Sequence, residues 1–191
     1  MPGIRQGPPK WVHNTREEVS KAMNGASDHI LWMGRLLRLA HRVGMEGEVP
    51  VAAVILDGKG TAIGWGSNVR HRQQDPLGHA ELVALRQAAD LRGDWRFNDC
   101  RLLVTLEPCP MCAGALVQAR MGQVIYGAAD PKRGALGGCL DLANHPSAHH
   151  RMRVEGGVLA AEGRQLLENW FRQRRRQARS AGTREARFPA G

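Results

Sequence analysis

Two short stretches, His79-Ala80-Glu81 and Pro108-Cys109-Pro110-Met111-Cys112, carry the residue types around which the rest of the chain is organised. The first provides an imidazole and, two residues later, a carboxylate. The second provides two thiols three residues apart, a spacing that lets one helical turn hold a metal with both. One imidazole and two thiolates are typical protein ligands of a catalytic zinc, whose fourth position stays open for water. The pattern predicts a zinc site formed by His79, Cys109 and Cys112.

Glu81 follows the predicted ligand His79 by two residues and lies in the first turn of a predicted helix. Zinc lowers the pKa of a bound water to about 7. A neighbouring carboxylate can take up that proton and pass it to a ring nitrogen and to a leaving amine, which is the chemistry of hydrolytic deamination. An acidic residue near a helix N-terminus also stabilises the helix itself, and both explanations can hold for Glu81.

Each stretch also has a simpler explanation. A Cys-x-x-Cys pair occurs in redox proteins, and a single histidine near a helix start commonly caps or packs. A redox pair at Cys109 and Cys112 would leave His79 and Glu81 unexplained. Both stretches are predicted to begin a helix directly after a loop, and the positive end of a helix favours thiolate. The combination therefore favours zinc.

Hydrophobic patterning predicts alternating helices and strands. The predicted order is a helix from residue 28 to Gly44, strands at 49–56 and 61–65 joined by an Asp-Gly turn, a loop over 67–78, a helix at 79–93, a strand at 101–106, a helix at 110–120, a strand at 123–127, an irregular segment over 128–153 and a final helix from Val158. This alternation indicates a three-layer α/β/α domain with helices on a central sheet.

The first and the last predicted helix each have an apolar face at helical spacing. The faces consist of Ile30, Met33, Leu37 and Ala40 in the first helix, and of Leu159, Leu166 and Trp170 in the last. The face of the last helix is expected to dock on the body of the domain.

Composition divides the chain of 191 residues into three parts. Residues 1–26 are polar and rich in proline, which predicts a loose N-terminal extension with a short helix around residues 16–23. Residues 27–176 have the length of one domain with a substantial core. Residues 177–191 are predicted to be a basic, disordered tail.

The formal net charge is +9, and it is unevenly distributed. Residues 172–191 hold seven arginines and one glutamate, which gives this segment a net charge of +6. A basic segment on a nearly neutral body suits a polyanionic partner, and nucleic acid is the first candidate. Solubility alone is the simpler explanation for such a segment.

The other compositional features favour a cytoplasmic protein. Four cysteines, two of them predicted zinc ligands, are too few for a disulfide framework. The first residues form no apolar signal segment. The longest apolar run, residues 49–56, is far shorter than a membrane span. Reduced cytosol is therefore the expected compartment.

Several segments outside the zinc motifs are similar to one family in the order in which they occur. They are Glu48-Val49-Pro50-Val51, Gly64-Trp65-Gly66-Ser67-Asn68, Asp75-Pro76-Leu77-Gly78-His79-Ala80-Glu81, Thr105 to Ala115, Tyr126-Gly127-Ala128-Ala129-Asp130-Pro131-Lys132 and Asn144-His145-Pro146. Over about residues 28–176 the chain resembles the bacterial tRNA-specific adenosine deaminases, of the zinc-dependent cytidine/deoxycytidylate deaminase superfamily.

This resemblance implies a fold, a reaction and partners. The fold would be the three-layer cytidine-deaminase type, with a central mixed sheet of about five strands. The reaction would convert adenosine to inosine at the wobble position of a tRNA anticodon, with one zinc per chain. An unpaired anticodon loop makes it inexpensive to turn the base out into a pocket. The family is homodimeric, so a homodimer is expected.

The resemblance also implies roles for further residues. Asn68 would bond the flipped base or its sugar, Val49 and Leu106 would line the pocket, and Asp130 would lie near the backbone of the target nucleotide. Simpler roles remain for each, because Asn68 and Asp130 are also good loop and turn residues and the other two are apolar. In the basic final helix, the residues expected to contact phosphates are Arg172, Arg174, Arg175 and Arg176.

Two other functions remain open at this point. The zinc motifs equally suit a deaminase of a free base, nucleoside or nucleotide, of the cytosine or guanine type. The Asn-His-Pro segment and the arginine-rich end favour a tRNA substrate. A zinc-dependent RNA-binding module without catalysis is disfavoured, because such a module has no use for an open coordination position beside a glutamate.

Overall fold

The computed structural model describes residues 25–185, with side chains described for residues 28–180. Their core is a five-stranded sheet in the order β2-β1-β3-β4-β5. The strands are β1 (Ala52–Leu56), β2 (Ala62–Ser67), β3 (Arg101–Leu106), β4 (Gln123–Ala128) and β5 (Arg153–Gly156). β1 is antiparallel to both β2 and β3, whereas β3, β4 and β5 run parallel. The expected mixed sheet is confirmed.

Within residues 25–185, five helices accompany the sheet, namely α1 (Gly25–Met45), α2 (Arg70–Gln73), α3 (Ala80–Arg92), α4 (Pro110–Gln118) and α5 (Ala160–Glu185). Alternate residues of each buried strand face opposite sides, as the pleat requires. Ile55, Leu102 and Val104 pack with α3 and α4 in one apolar cluster. Val54 and Leu103 pack with α1 and α5 in a second cluster. The predicted three-layer α/β/α fold is therefore confirmed.

Close contact between β2 and α3 fixes the helix that follows His79. A Cβ at Gly64 would overlap the carbonyl of Ala84, and a Cβ at Gly66 would overlap the carbonyl of Ala80. Glycine at these two positions lets the helix lie directly on the strand. The start of α3 is thereby held at one edge of the sheet.

Several predicted elements differ from those observed. β1 begins at Ala52, three residues later than expected, and the predicted loop over 67–78 contains the single turn α2. β5 begins at the last residue of the segment that was expected to be irregular and continues beyond it, where no strand was predicted. Its four residues are all exposed, so it has no apolar run that would mark it as a strand.

The apolar face predicted for α1 was only partly correct. Ile30 is 54% exposed, whereas Trp32, Met33, Leu36 and Ala40 are fully buried. The helix is amphipathic as expected, but its contact face is rotated toward Trp32 because that large side chain fills the space between the helix and the sheet.

The final helix docks on the body and then continues beyond the predicted domain end. Leu166 packs against the cluster that contains α1, and the indole of Trp170 donates a hydrogen bond to the backbone of α1. The helix extends to Glu185, past residue 176, so residues 177–185 are helical where a disordered tail was expected. Of the predicted N-terminal extension over residues 1–26, residues 25 and 26 belong to α1. Residues 1–24, which include the short helix predicted around 16–23, and residues 186–191 lie outside the described part of the chain.

Candidate active site

The starts of α3 and α4 lie at the same edge of the sheet, the one formed by the carboxyl ends of β2 and β3. His79 is the N-cap residue of α3, and Cys109 is the N-cap residue of α4, both with extended backbone. Pro110 occupies the first position of α4, where a missing N–H costs nothing. Cys112 lies in the first turn of α4 and is buried. Two separate turns thus bring one imidazole and two thiols together.

The distances between these three side chains fit a zinc ion. The Nδ1 atom of His79 lies 3.7 Å from the sulfur of Cys109 and 3.5 Å from the sulfur of Cys112. All three ligand atoms lie within 4.8 Å of one another. Tetrahedral bonds of about 2.3 Å to sulfur and about 2.0 Å to nitrogen place those two atoms about 3.5 Å apart. The donor set and its spacing therefore match a three-ligand zinc site.

Hydrogen bonds within the cluster make the two thiols unequal in acidity. A hydrogen bond from Cys112, together with the imidazole, lowers the pKa of the Cys109 thiol to about 3. The hydrogen bond to Cys109 raises the pKa of His79. The hydrogen bond between the two thiols raises the pKa of the Cys112 thiol. A thiolate is the form of cysteine that binds zinc, so one anionic sulfur is ready at neutral pH.

Glu81 lies beside the cluster and is buried, with 4% of its surface exposed. It occupies the first turn of α3, as the sequence predicted. Burial raises the pKa of its carboxyl, and a positively charged His79 partly opposes this change. A carboxyl with a raised pKa is suited to take up and release protons near neutral pH.

Asn68 is brought to the same point by the end of β2. Its side-chain oxygen accepts a hydrogen bond of 3.0 Å from the backbone N–H of Ala80, the first residue of α3. Asn68 is 6% exposed. It therefore has a structural role that the sequence did not reveal, since it fixes the start of the helix that carries Glu81.

Val49 and Leu106 lie at the same edge of the sheet, just before β1 and at the end of β3. Both are partly buried and pack against the cluster that contains α3 and α4. Such positions suit the wall of a pocket as well as the rim of the core. Their predicted contact with a base stays a prediction.

Asp130 caps the turn that follows β4. Its Oδ1 atom accepts the N–H groups of Lys132 and Arg133 at 3.0 and 3.1 Å. This is the simpler role that the sequence allowed for an aspartate before proline. A role toward a nucleotide backbone stays a prediction.

The predicted phosphate-contacting arginines are all exposed on α5, but they are not equivalent. Arg172 and Arg175 line a groove of about 350 Å³ between α5 and Ala128-Ala129, together with Arg164 and Phe171. Arg174 lies over the ring of Trp170, with its guanidinium 5.5 Å from the ring centre. Only the first two therefore face a concave surface near the end of β4.

Two buried glutamates near the site were not identified from the sequence. Glu107 accepts three backbone N–H groups from the loop after β4. Glu48 accepts the N–H of Arg72, in the loop that leads to His79, at 2.7 Å. Both are 2% exposed. The sequence signal that could have identified both is an acidic residue directly beside an apolar strand, because a buried carboxylate needs hydrogen-bond partners.

The α/β/α sandwich and the His-Cys-Cys cluster at one edge of its sheet define a zinc protein with the cytidine-deaminase fold. The model of the cytidine and deoxycytidylate deaminase zinc-binding region matches residues 12–128, more than half of the chain. The chain belongs to the cytidine and deoxycytidylate deaminase family.

The relatives in sequence include one deaminase of similar length and two much longer proteins. A tRNA-specific adenosine deaminase of Haemophilus influenzae is 41% identical over 73% of this chain and 80% of its own length. A tRNA(Ile)-lysidine synthase of Deinococcus radiodurans is 45% identical over 96% of this chain, which spans only 31% of that relative. A second such synthase, from Deinococcus deserti, is likewise matched over 32% of its length.

Two solved structures are similar to this chain in both sequence and fold. A chain from a study of A-to-I editing by tRNA:A34 deaminases is 36% identical, with a TM-score of 0.68 over 71% of this chain and 97% of its own. A guanine deaminase from Bacillus subtilis is 31% identical, with a TM-score of 0.52 over 69% of this chain and 83% of its own.

Proposed function

We propose that the protein is a zinc-dependent hydrolase that converts adenosine to inosine at the wobble position of a tRNA anticodon. The observation that carries this proposal is the buried carboxylate of Glu81 beside the cluster of His79, Cys109 and Cys112. The relatives named as tRNA-specific adenosine deaminases, one of them 41% identical, support the substrate.

The reaction replaces the 6-amino group of adenosine with oxygen from water and releases ammonia. Zinc held by the three ligands would lower the pKa of a bound water to about 7. Glu81 would accept one proton from the attacking water and donate it to the ring nitrogen next to the reacting carbon. It would then take the second proton from the added oxygen and deliver it to the departing amine, which leaves as ammonia. The same carboxyl serves each transfer because it is buried beside the site.

The groove beside α5 supports an RNA substrate over a free base. Three arginines and one glutamate line it, so its charge is positive. It opens next to Ala129, immediately before the turn that carries Asp130. A phosphate backbone leaving the metal site could run along these arginines. A deaminase of free bases would have no use for such a surface.

Two further properties belong to the proposal. Gly114 and Ala115 are small, partly exposed residues of α4 that permit close approach of a second chain, whereas Ala113 is buried in the chain's own core. A Cβ at Gly114 would meet nothing within 4 Å. We therefore expect a homodimer, which sedimentation at micromolar concentration would test.

Among the described residues, no helix is long and apolar enough to cross a membrane. Action on tRNA would place the protein in the cytoplasm.

The test compares substrates. Zinc-loaded protein is incubated with a tRNA anticodon stem-loop that has adenosine at the wobble position, with free adenosine and with guanine. We expect inosine in the stem-loop and very slow release of ammonia from the free compounds, because the binding energy of the RNA is missing. Guanine or adenosine turned over as efficiently as the stem-loop would favour the free-base deaminase instead. Loss of inosine from total tRNA of cells depleted of this protein would establish the role in cells.

A further inference from the structure

Glu107 uses its buried side chain to hold one loop. One carboxylate oxygen accepts the N–H of Asp130 at 2.9 Å. The other accepts the N–H groups of Leu136 and Gly138 at 3.0 and 2.8 Å. A carboxylate that is 2% exposed is tolerated only with such charge-assisted hydrogen bonds. All three donors belong to the loop of residues 130–138, which we name the Glu107 loop.

The Glu107 loop lies directly on the turn that carries the metal ligand Cys109. The N–H of Ala135 donates to the carbonyl of Pro108 at 2.9 Å. A Cβ at Gly134 or at Gly138 would overlap the Glu107 carboxylate. Because the two glycines leave no space between backbone and carboxylate, the position of the loop relative to Cys109 is fixed.

The outer side of the same loop carries exposed cations. Lys132 and Arg133 are exposed, and their N–H groups bond the Asp130 side chain. We infer that Glu107 is a positioning residue for the RNA: it fixes the Glu107 loop beside the metal site so that Lys132 and Arg133 meet the phosphates of the strand that enters it. The inference rests on the proposed RNA substrate, because a free base offers no phosphate to these cations.

Glu107→Gln tests this with almost no change in size. A carboxamide has one oxygen and one NH₂ group. It can accept from Leu136 and Gly138, or from Asp130, but its NH₂ then faces another N–H donor. The loop must therefore lose at least one of its three attachments to residue 107. Asp57→Asn is a matched control, because the Asp57 carboxylate accepts the N–H groups of Lys59 and Thr61 at the opposite edge of the sheet.

The first measurement is steady-state kinetics with zinc content. In Glu107→Gln we expect KM for the anticodon stem-loop to rise about tenfold or more, with kcat within about threefold and one zinc per chain. A residue that only supports folding would instead lower zinc content, kcat and the melting temperature together. Asp57→Asn should leave KM unchanged. An unchanged KM in Glu107→Gln, or loss of zinc in step with activity, would overturn the inference.

The second measurement needs no substrate, so it remains decisive if the proposed function fails. Hydrogen exchange in the peptide that spans residues 129–139 should be faster in Glu107→Gln and unchanged in Asp57→Asn. The substitution Gly134→Ala should strongly destabilise the wild-type protein, but it should only weakly destabilise a protein that already carries Glu107→Ala. The smaller side chain at position 107 leaves room for the added methyl group. Equal exchange in all three proteins, or equal effects of Gly134→Ala in both backgrounds, would show that Glu107 does not hold the loop.

Discussion

The indole N–H of Trp170 lies 3.0 Å from the backbone carbonyl oxygen of Gly44 and donates a hydrogen bond to it. This bond joins α5 to the last turn of α1. A Cβ at Gly44 would approach Cδ1 of Trp170 to 3.2 Å, so the two helices are already in close contact. The contact fixes the basic half of α5 relative to the sheet edge that holds the metal ligands.

Trp170→Phe should lower the melting temperature, because it removes this hydrogen bond while it keeps most of the apolar contact. A bond of this kind contributes about 1 kcal/mol, which corresponds to about 2–4 °C in a chain of this size. Phe171→Leu is the control, since Phe171 is 43% exposed and should change the melting temperature less. Equal melting temperatures for Trp170→Phe and wild type in calorimetry would show that the contact adds nothing.

Replacement of both metal-binding thiols should remove zinc and activity together. In Cys109→Ser/Cys112→Ser, two of the three ligands lose the thiolate that zinc prefers. Metal analysis of the dialysed protein should find well under one zinc per chain. Stoichiometric zinc in the double variant would mean that the metal site lies elsewhere.

Glu81→Ala should keep zinc and fold but lose turnover, because only proton transfer is removed. General acid–base groups contribute about 10²–10⁴-fold, so a decrease of at least about 10²-fold is expected with the stem-loop substrate. Circular dichroism and metal analysis serve as controls for fold and zinc. Turnover within about threefold of wild type would contradict the role assigned to Glu81.

The groove arginines should contribute affinity for RNA and its dependence on salt. Arg172→Ala/Arg175→Ala should raise KM for the stem-loop and reduce the slope of log K against log salt by about 1.4, since each single-strand phosphate that an arginine neutralises adds about 0.7 to that slope. The control Arg96→Ala/Arg151→Ala removes the same charge from exposed positions away from the groove. Identical slopes for the two variants would mean that the groove arginines do not contact RNA and that the basic helix serves only solubility.

The four cysteines should differ in reactivity when zinc is bound. Cys139 is exposed, whereas Cys100 is 1% exposed and burial raises the pKa of its thiol to about 11. Alkylation of the native zinc protein at pH 7 should therefore modify one thiol, Cys139, because the thiolate is the reactive form. Cys139→Ser should abolish the fast reaction. Rapid modification of Cys100, mapped by mass spectrometry, would contradict its buried position.

The zinc site could be predicted from the sequence because ligand chemistry is local. Two thiols three residues apart on one helical start, and an imidazole followed by a carboxylate on another, leave few other uses for these residues. The alternation of apolar runs likewise predicted the three-layer fold, since each buried strand and amphipathic helix has its own period. A resemblance to a known family supplied the expected substrate and the expected pocket residues, which neither pattern could provide.

The tertiary structure alone decided how the surrounding loops are held. Glu107, Glu48 and Asn68 bond backbone groups that are 12 to 31 residues away in the chain, and no periodicity of the sequence records such partners. β5 was missed for a related reason, because an exposed edge strand is defined by its pairing with β4 and by no apolar run of its own. Local residue types thus determined which chemistry is present, and long-range hydrogen bonding determined the position of each loop around the candidate active site.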